Sequence, residues 1–324
     1  MHDVFFYEAF AEEEAALRAF LPENLKAGFT WKTIQEYGDK KPAARLISLR
    51  TQSVIPREWA DQLDAILSRS TGYDHLVRYR QGVGDGAPAC GYLPLYCARA
   101  VAEQALLMWM ALLRRFQAQR SAFEHFQRDG LTGSEADGKN LLVVGVGHIG
   151  SEVVRIGTGL GMIVKGVDPV KKHDFVDYVR FEEALPEADI IVAAMNLTNE
   201  NRGYFNRKSL AGAKPGALFV NISRGELSPT TELLELLDEG TLGGVALDVY
   251  EDESELAVAL RGGDQVASPS AQALLKLKLR PNVICTPHNA FNTKEALQRK
   301  AEQAASQVRH FLAEGRFVWD VPGE

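Results

Sequence analysis

Short runs of apolar residues, each bounded by polar or turn-forming positions, recur along the whole chain. They fall at 3–7 (DVFFY), 45–49 (RLISL), 64–67 (DAIL) and 89–93 (ACGYL). They recur at 141–145, 162–167, 189–194 (DIIVAA), 217–222 (ALFVNI), 244–248 (GVALD) and 282–286 (NVICT). Runs of four to six apolar residues with little alternation are the pattern of strands covered on both faces. Stretches of helical period separate many of them. Residues 11–21 carry acids in the first turn, and 229–239 (PTTELLELLDE) opens on proline and is followed by Gly240. Strands alternating with helices predict an α/β protein with parallel sheets joined by crossovers. The first four runs predict a small βα domain, and the six later ones a doubly wound parallel sheet.

Residues 98–118 (ARAVAEQALLMWMALLRRFQA) predict one long helix whose centre is apolar on every side. Such a helix is buried all round, by its own domain on one side and by a second subunit on the other, which predicts a two-fold homodimer. Burial within one monomer is the alternative. STGYD at 70–74 is a turn after a strand. GVGDGAP at 82–88 has glycines at G-x-G spacing but opens no helix and precedes a strand, so it is not a phosphate site. Residues 294–314 form a final amphipathic helix, too late for the second sheet and free to return to the first domain. The expected division is therefore 1–97 with 289–324, and 98–288.

The chain has 324 residues, enough for two domains, and its 46% apolar and 24% charged content is that of an ordinary globular protein. A net charge of −7 speaks against a nucleic-acid partner or an anionic membrane surface. The most apolar run, Ala105 to Leu113, is nine residues long, against the roughly 20 that a membrane span needs. Cys90, Cys97 and Cys285 show no metal-ligand spacing; they read as reduced thiols, and no metal is expected. The acidic start, MHDVFFYEAFAEEE, lacks the basic opening and apolar core of a secretory signal, so a cytoplasmic location is expected.

Chemistry enters at 141–150, LLVVGVGHIG. The strand ends in Gly145, Gly147 and Gly150, spaced G-x-G-x-x-G, and a helix follows. In that arrangement the first glycine permits a tight turn and the second lets backbone approach a pyrophosphate. The third lets the helix lie close, with its N-terminal N–H groups aimed at the phosphates. An acid should end the next strand about 20 positions on, and Asp168 does so. Dinucleotide binding follows. Ligands of an open parallel sheet lie beyond the carboxyl ends of its strands. Past the fourth, fifth and sixth strands stand Ser223-Arg224-Gly225, then Asp248 with the acidic run 251–255, then Pro287-His288-Asn289.

These stretches resemble the D-isomer-specific 2-hydroxyacid dehydrogenases. The resemblance is carried by RSTGYDHL (69–76), LPLYCARAVAEQAL (93–106), LLVVGVGHIG (141–150), VNISRGEL (220–227), LGGVALDVYEDE (242–253) and NVICTPHNAFNTKEAL (282–297). The branch it resembles most is that of the D-lactate dehydrogenases. The resemblance implies a Rossmann domain with a smaller flavodoxin-like domain, and NAD as cofactor. It implies hydride transfer between nicotinamide and C2 of a small 2-oxo or D-2-hydroxy acid, in a cleft between the domains.

At matching positions Arg224 would bind the substrate carboxylate and polarise the 2-oxo group. His288 would be the general acid of reduction, and Glu253 the carboxylate that pairs with it, with Glu251 and Glu255 as competitors in register. A carboxylate there favours the imidazolium form. Backbone N–H groups around Thr71 and Gly72 would hold the carboxylate too, and Tyr96 would line the substrate, unless it is a packing residue. Gly145, Gly147, His148, Ile149, Gly150 and Asp168 would bind the cofactor. Asp248 either joins them or is a structural strand-end acid. Asp168 favours NAD over NADP, with Lys171 and Lys172 close enough to soften the preference.

Met195-Asn196 departs from a residue–proline pair of the family, and Asn289 is unusual beside the histidine. LAVALRGG (256–263) replaces an often aromatic wall, which would admit acids larger than pyruvate. The rivals are a dinucleotide sensor without turnover, similar to some corepressors, and a formate- or phosphite-oxidising relative. The formate branch places an amide where Glu253 stands.

Overall fold

The computed structural model describes residues 2–262 and 266–322. The chain forms two compact units, Met1–Cys97 with Asn292–Glu324, and Ala98–Phe291. The second crossing thus lies at 291–292, three residues beyond the position expected from sequence.

Among the described residues the first unit holds strands β1 (Val4–Phe6), β2 (Ala27–Phe29), β3 (Leu46–Leu49), β4 (Ala65–Ser68) and β5 (Ala89–Gly91). They run parallel in the order β2-β1-β3-β4-β5, the flavodoxin-like order. β1, β3 and β4 are buried at every position, which is why their sequences show no alternation. β2 was not expected. It is a three-residue edge strand with a central glycine, Gly28, where a Cβ would meet the Phe5 ring at 2.4 Å. So short a strand leaves no period to read.

The final helix, Lys294–Glu314, belongs to this unit. Thr293 Oγ1 caps it by accepting from Ala296 N, and Gly315 closes it in the left-handed conformation. Its buried positions are Ala296, Lys300, Ala301, Ala304, Ala305, Gln307 and Val308, and the four alanines allow close approach to the helix Ala11–Phe20. One charge lies among those positions. Lys300 Nζ sits 2.6 Å from Glu13 Oε1, which also accepts from Arg69 Nε at 2.8 Å, and all three side chains are fully buried. Arg69 donates further to Ser48 Oγ and to the Tyr7 carbonyl.

Among the described residues the second unit holds β6 (Asn140–Val144), β7 (Ile163–Val167), β8 (Asp177–Tyr178), β9 (Ile190–Ala193), β10 (Ala217–Asn221), β11 (Leu242–Leu247) and β12 (Val283–Cys285). All are parallel, in the order β12-β11-β10-β9-β6-β7-β8. The expected six are present, with the two-residue β8 added at the edge. The order reverses direction at β6/β9, the place where a doubly wound sheet opens its ligand crevice.

The single helix expected over 98–118 is corrected by the structure to two. Ala98–Leu113 is followed by Phe116–Ala122, with Arg115 left-handed at φ 52° between them. The cause is tertiary. Ser134 N donates to the Leu113 carbonyl at 2.8 Å, taking an acceptor that the next helical turn would have used. The first helix buries Val101, Ala105, Met108, Trp109 and Leu112 within its unit and leaves Leu107 61% exposed. Among the described residues no helix is long and apolar enough to cross a membrane.

Candidate active site

The glycine turn at the end of β6 shows three glycines needed for three different reasons. Gly145 is left-handed at φ 92°, and a Cβ there would lie 2.5 Å from Met195 backbone at the end of β9. A Cβ on Gly150 would lie 1.9 Å from the Gly145 carbonyl, so the helix His148–Gly159 can meet the turn only without one. At Gly147, in contrast, a Cβ would meet nothing within 4 Å. That open space at a helix N-terminus fits a diphosphate approaching backbone. His148 and Ile149 are the first two residues of that helix, and His148 is exposed.

Asp168, just past β7, ties the turn in place. Its Oδ2 accepts from Val146 N at 2.8 Å and its Oδ1 from Val170 N at 2.9 Å. Each carboxylate oxygen keeps a further lone pair for a ribose hydroxyl. Lys171 and Lys172 are exposed nearby in the chain. The Met195-Asn196 loop is held without proline. Asn201 Nδ2 donates to the Asn196 carbonyl at 2.7 Å and to Met195 Sδ at 3.3 Å.

β10, β11 and β12 are neighbours in the sheet, so the loops after them share its carboxyl edge. Asn221, fully buried at the end of β10, builds the loop that carries Arg224. Its Nδ2 donates to the Arg224 carbonyl at 2.8 Å and to Ser228 Oγ at 2.9 Å, while its Oδ1 accepts from Ser223 N and Oγ. Arg224 Nη1 donates to the Ser223 carbonyl at 2.8 Å. Gly225 then lies against the next loop so closely that a Cβ would fall 1.9 Å from the Tyr250 carbonyl carbon. The Arg224 loop and the acidic segment are thereby in contact.

Of the three glutamates open to pairing in the sequence, the structure brings Glu253 to His288. Nδ1 of His288 lies 2.7 and 2.8 Å from the two carboxylate oxygens. Glu251 is used elsewhere, accepting from Thr230 N at 2.7 Å at the start of the helix Thr230–Asp238, and Glu255 is exposed. Glu253 opens the helix Glu253–Gly262, so its position is fixed by the helix start. With Nδ1 bound to a carboxylate, Nε2 is the ring nitrogen that can exchange a proton elsewhere.

His288 is held in the left-handed region at φ 50°, an unusual conformation for a residue with a Cβ. Asp248 enforces it. This carboxylate, 1% exposed at the end of β11, accepts from Thr286 Oγ1 at 2.5 Å, Asn289 N at 2.9 Å and Ala290 N at 2.8 Å. It grips the chain on both sides of the histidine. Burial pushes the Asp248 carboxyl above its ordinary value, against the pull of the Thr286 hydroxyl, His288 and the two amides. Tyr250 adds a second clasp, its hydroxyl lying 3.0 Å from the Leu247 carbonyl and 2.7 Å from that of Thr286. Asn221, Tyr250 and Thr286 escaped the sequence reading. For Asn221 the available signal was a polar residue ending an otherwise apolar strand, which must find partners when buried.

In the first unit Thr71 and Gly72 form the turn between β4 and the helix Asp74–Val83, and Thr71 Oγ1 lies 3.3 Å from Cys97 Sγ. Tyr96 is 4% exposed, with Lys300 Nζ 5.7 Å from its ring centroid, and its carbonyl accepts from Arg299 Nε at 2.9 Å. Burial pushes its phenol well above the usual range. Cys90, Cys97 and Cys285 are free thiols.

The family model for the NAD binding domain of D-isomer specific 2-hydroxyacid dehydrogenase matches residues 106–290. The 2-hydroxyacid dehydrogenase A of Aspergillus oryzae is 33% identical over 264 residues, 80% of this chain and 75% of that protein. The D-specific alpha-keto acid dehydrogenase of Enterococcus faecalis is 31% identical over 251 residues, 76% of this chain and 75% of its own length. Among solved structures, D-lactate dehydrogenase from Aquifex aeolicus, complexed with NAD and lactic acid, superposes with a TM-score of 0.84 at 26% identity. That match covers 99% of this chain and 100% of the other.

Proposed function

Because the chain belongs to the D-isomer specific 2-hydroxyacid dehydrogenase family, we propose that Arg224, Glu253 and His288 interconvert a 2-oxo acid and its D-2-hydroxy acid. The protein is an NAD-dependent oxidoreductase. Bound cofactor supplies or accepts a hydride at C2. Gly145, Gly147, His148, Ile149, Gly150 and Asp168 hold it, with Asp168 favouring NAD over NADP because a 2′-phosphate would meet its negative charge. Asp248 serves the site by setting the His288 loop, since its oxygens are engaged there.

Arg224 binds the substrate carboxylate and polarises the 2-oxo group, work suited to a planar fork of donors. Thr71 and Gly72 are assigned to the same carboxylate through backbone N–H groups, and Tyr96 to the substrate body. His288 delivers a proton from Nε2 to the oxygen as C2 is reduced, and removes it in the reverse direction. Glu253 orients the ring through Nδ1 and stabilises its charged form. The observation that carries this reading is the His288–Glu253 pair, 2.7 Å apart, beside the loop of Arg224.

The site admits 2-oxo acids larger than pyruvate. The helix after Glu253 carries Leu256, Val258 and Leu260 and no aromatic residue, while Gly263, the last residue of the wall read from sequence, lies outside the described residues. The Enterococcus relative is named for alpha-keto acids at large. The enzyme works as a homodimer in the cytoplasm, its free thiols suiting a reducing compartment. Exposed Leu107, Phe116, Phe123 and Phe126 support the dimer.

Replacing Arg224 tests the assignment. Arg224→Ala is expected to lose most turnover while NADH binds as before; equal loss of NADH binding would move Arg224 to the cofactor. Steady-state rates on pyruvate and on phenylpyruvate test substrate size, and a strong preference for pyruvate would overturn it.

A further inference from the structure

Behind the Thr71–Gly72 turn runs a buried chain of side-chain hydrogen bonds. His75 Nε2 lies 3.0 Å from Ser68 Oγ, Ser68 Oγ lies 2.5 Å from Ser70 Oγ, and Ser70 Oγ donates to the Gly72 carbonyl at 2.7 Å. Ser68 is fully buried at the end of β4 and Ser70 is 8% exposed. One direction satisfies every link. The His75 Nε2–H donates to Ser68, the Ser68 hydroxyl to Ser70, and the Ser70 hydroxyl to Gly72. If Nε2 were an acceptor, Ser68 would turn its single proton to the ring. Ser70 would then have one proton for two acceptors.

The turn is also fixed one residue earlier, where the Ser70 carbonyl accepts from Leu93 N at 3.1 Å. Both the Ser70 and the Gly72 carbonyls are therefore drawn onto the unit's own bonds. In a trans peptide the N–H points opposite to the carbonyl of the residue before it. The N–H groups of Thr71 and Tyr73 consequently face away from those bonds, at the start of the helix Asp74–Val83.

We propose that Ser70, backed by Ser68 and His75, is a positioning residue that presets this turn to bind the substrate carboxylate, and that Tyr73 N–H is a further donor to it. The proposal rests on the reading that this turn takes the carboxylate of a 2-oxo acid. It separates substrate binding from the proton chemistry, because none of the three side chains acts on C2. Preorganised donors raise affinity by sparing the turn an ordering cost on binding.

The test is steady-state kinetics of the full-length enzyme with NADH and pyruvate or phenylpyruvate, joined to binding of oxamate, an unreactive isostere of pyruvate, to the enzyme–NADH complex. Ser70→Ala is expected to raise KM for the 2-oxo acid, and weaken oxamate, about tenfold, the worth of one buried hydrogen bond. The kcat and KM for NADH stay within about twofold, as befits groups that touch neither cofactor nor the reacting carbon. Ser70→Thr, which keeps the hydroxyl, restores the wild-type KM. Ser68→Ala, one link further back, moves the same parameter by less. An unchanged KM in Ser70→Ala, or equal rises for NADH and the acid, would overturn the relay and leave the assigned reaction standing. A wild-type enzyme that reduces neither acid and binds no oxamate would instead remove that reaction, and the relay with it.

Discussion

Thirty-five positions separate Glu253 from His288, yet the carboxylate meets Nδ1 at 2.7 Å because both follow adjacent strands of one parallel sheet. Two consequences are measurable. His288→Gln is expected to lower kcat about 100-fold or more, the range for losing a general acid; a loss of only a few-fold would remove the residue from proton transfer. Glu253→Ala removes the partner at Nδ1 and leaves the ring without its orienting contact. Its kcat should therefore fall by roughly tenfold or more, and an unchanged kcat would contradict the pairing. At this scale the pairing of His288 with an acid of the 251–255 run was legible in the sequence, because few residue types can partner an imidazole. The register at Glu253 came from the family resemblance and not from spacing. Three glutamates fit the spacing, and only the folded chain spends Glu251 on Thr230 N and turns Glu255 to solvent. Asn221 and Tyr250 act through backbone carbonyls, a role that leaves little trace in a residue's identity.

At the scale of elements, strands buried on both faces announced themselves as continuous apolar runs, whereas β2 and β8 are too short to show a pattern. The break at Leu113 to Phe116 was equally illegible, since its cause is the distant Ser134 N–H. The junction of the helices Ala11–Phe20 and Lys294–Glu314 yields a sharper test. Burial works to raise the Glu13 carboxyl, but Arg69 and Lys300 outweigh it and hold the group down to about 2. At Lys300 burial dominates, lowering the amine to about 7 against the attraction of Glu13.

Glu13→Gln would leave the buried Arg69 guanidinium without its counter-charge and should cost about 3–5 kcal/mol in urea unfolding. Lys300→Met leaves Glu13 and Arg69 balanced and should cost much less; equal losses would contradict this charge arrangement. Between about pH 7 and the amine's ordinary 10.5 the unfolded chain holds a proton at Lys300 that the folded chain has released. Stability at this site therefore rises with pH through that window. Lys300→Met should remove the rise, and an unchanged slope of unfolding free energy against pH would contradict the burial argument.

At the scale of the whole molecule, Leu107, Phe116, Phe123 and Phe126 are each more than half exposed, as are Trp31, Val54 and Leu279 elsewhere in the chain. The four that follow one another from 107 to 126 are the surface proposed for the dimer. Sedimentation equilibrium is expected to give a dimer, and Leu107→Asp with Phe123→Ser to weaken it; a wild-type monomer at micromolar concentration would contradict the assignment. The two-unit division follows from the same physics as the strands, since each parallel sheet needs helices on both faces and a chain of this length supplies two such sets.

The loops after β10, β11 and β12 are proposed to carry a working 2-oxo acid reductase rather than a site that only holds a dinucleotide. The most direct test follows NADH consumption with pyruvate and larger 2-oxo acids, and determines the configuration of the product. Turnover that yields the D-2-hydroxy acid and collapses in His288→Gln and Arg224→Ala is the predicted result. NADH binding with no consumption of any acid would contradict it.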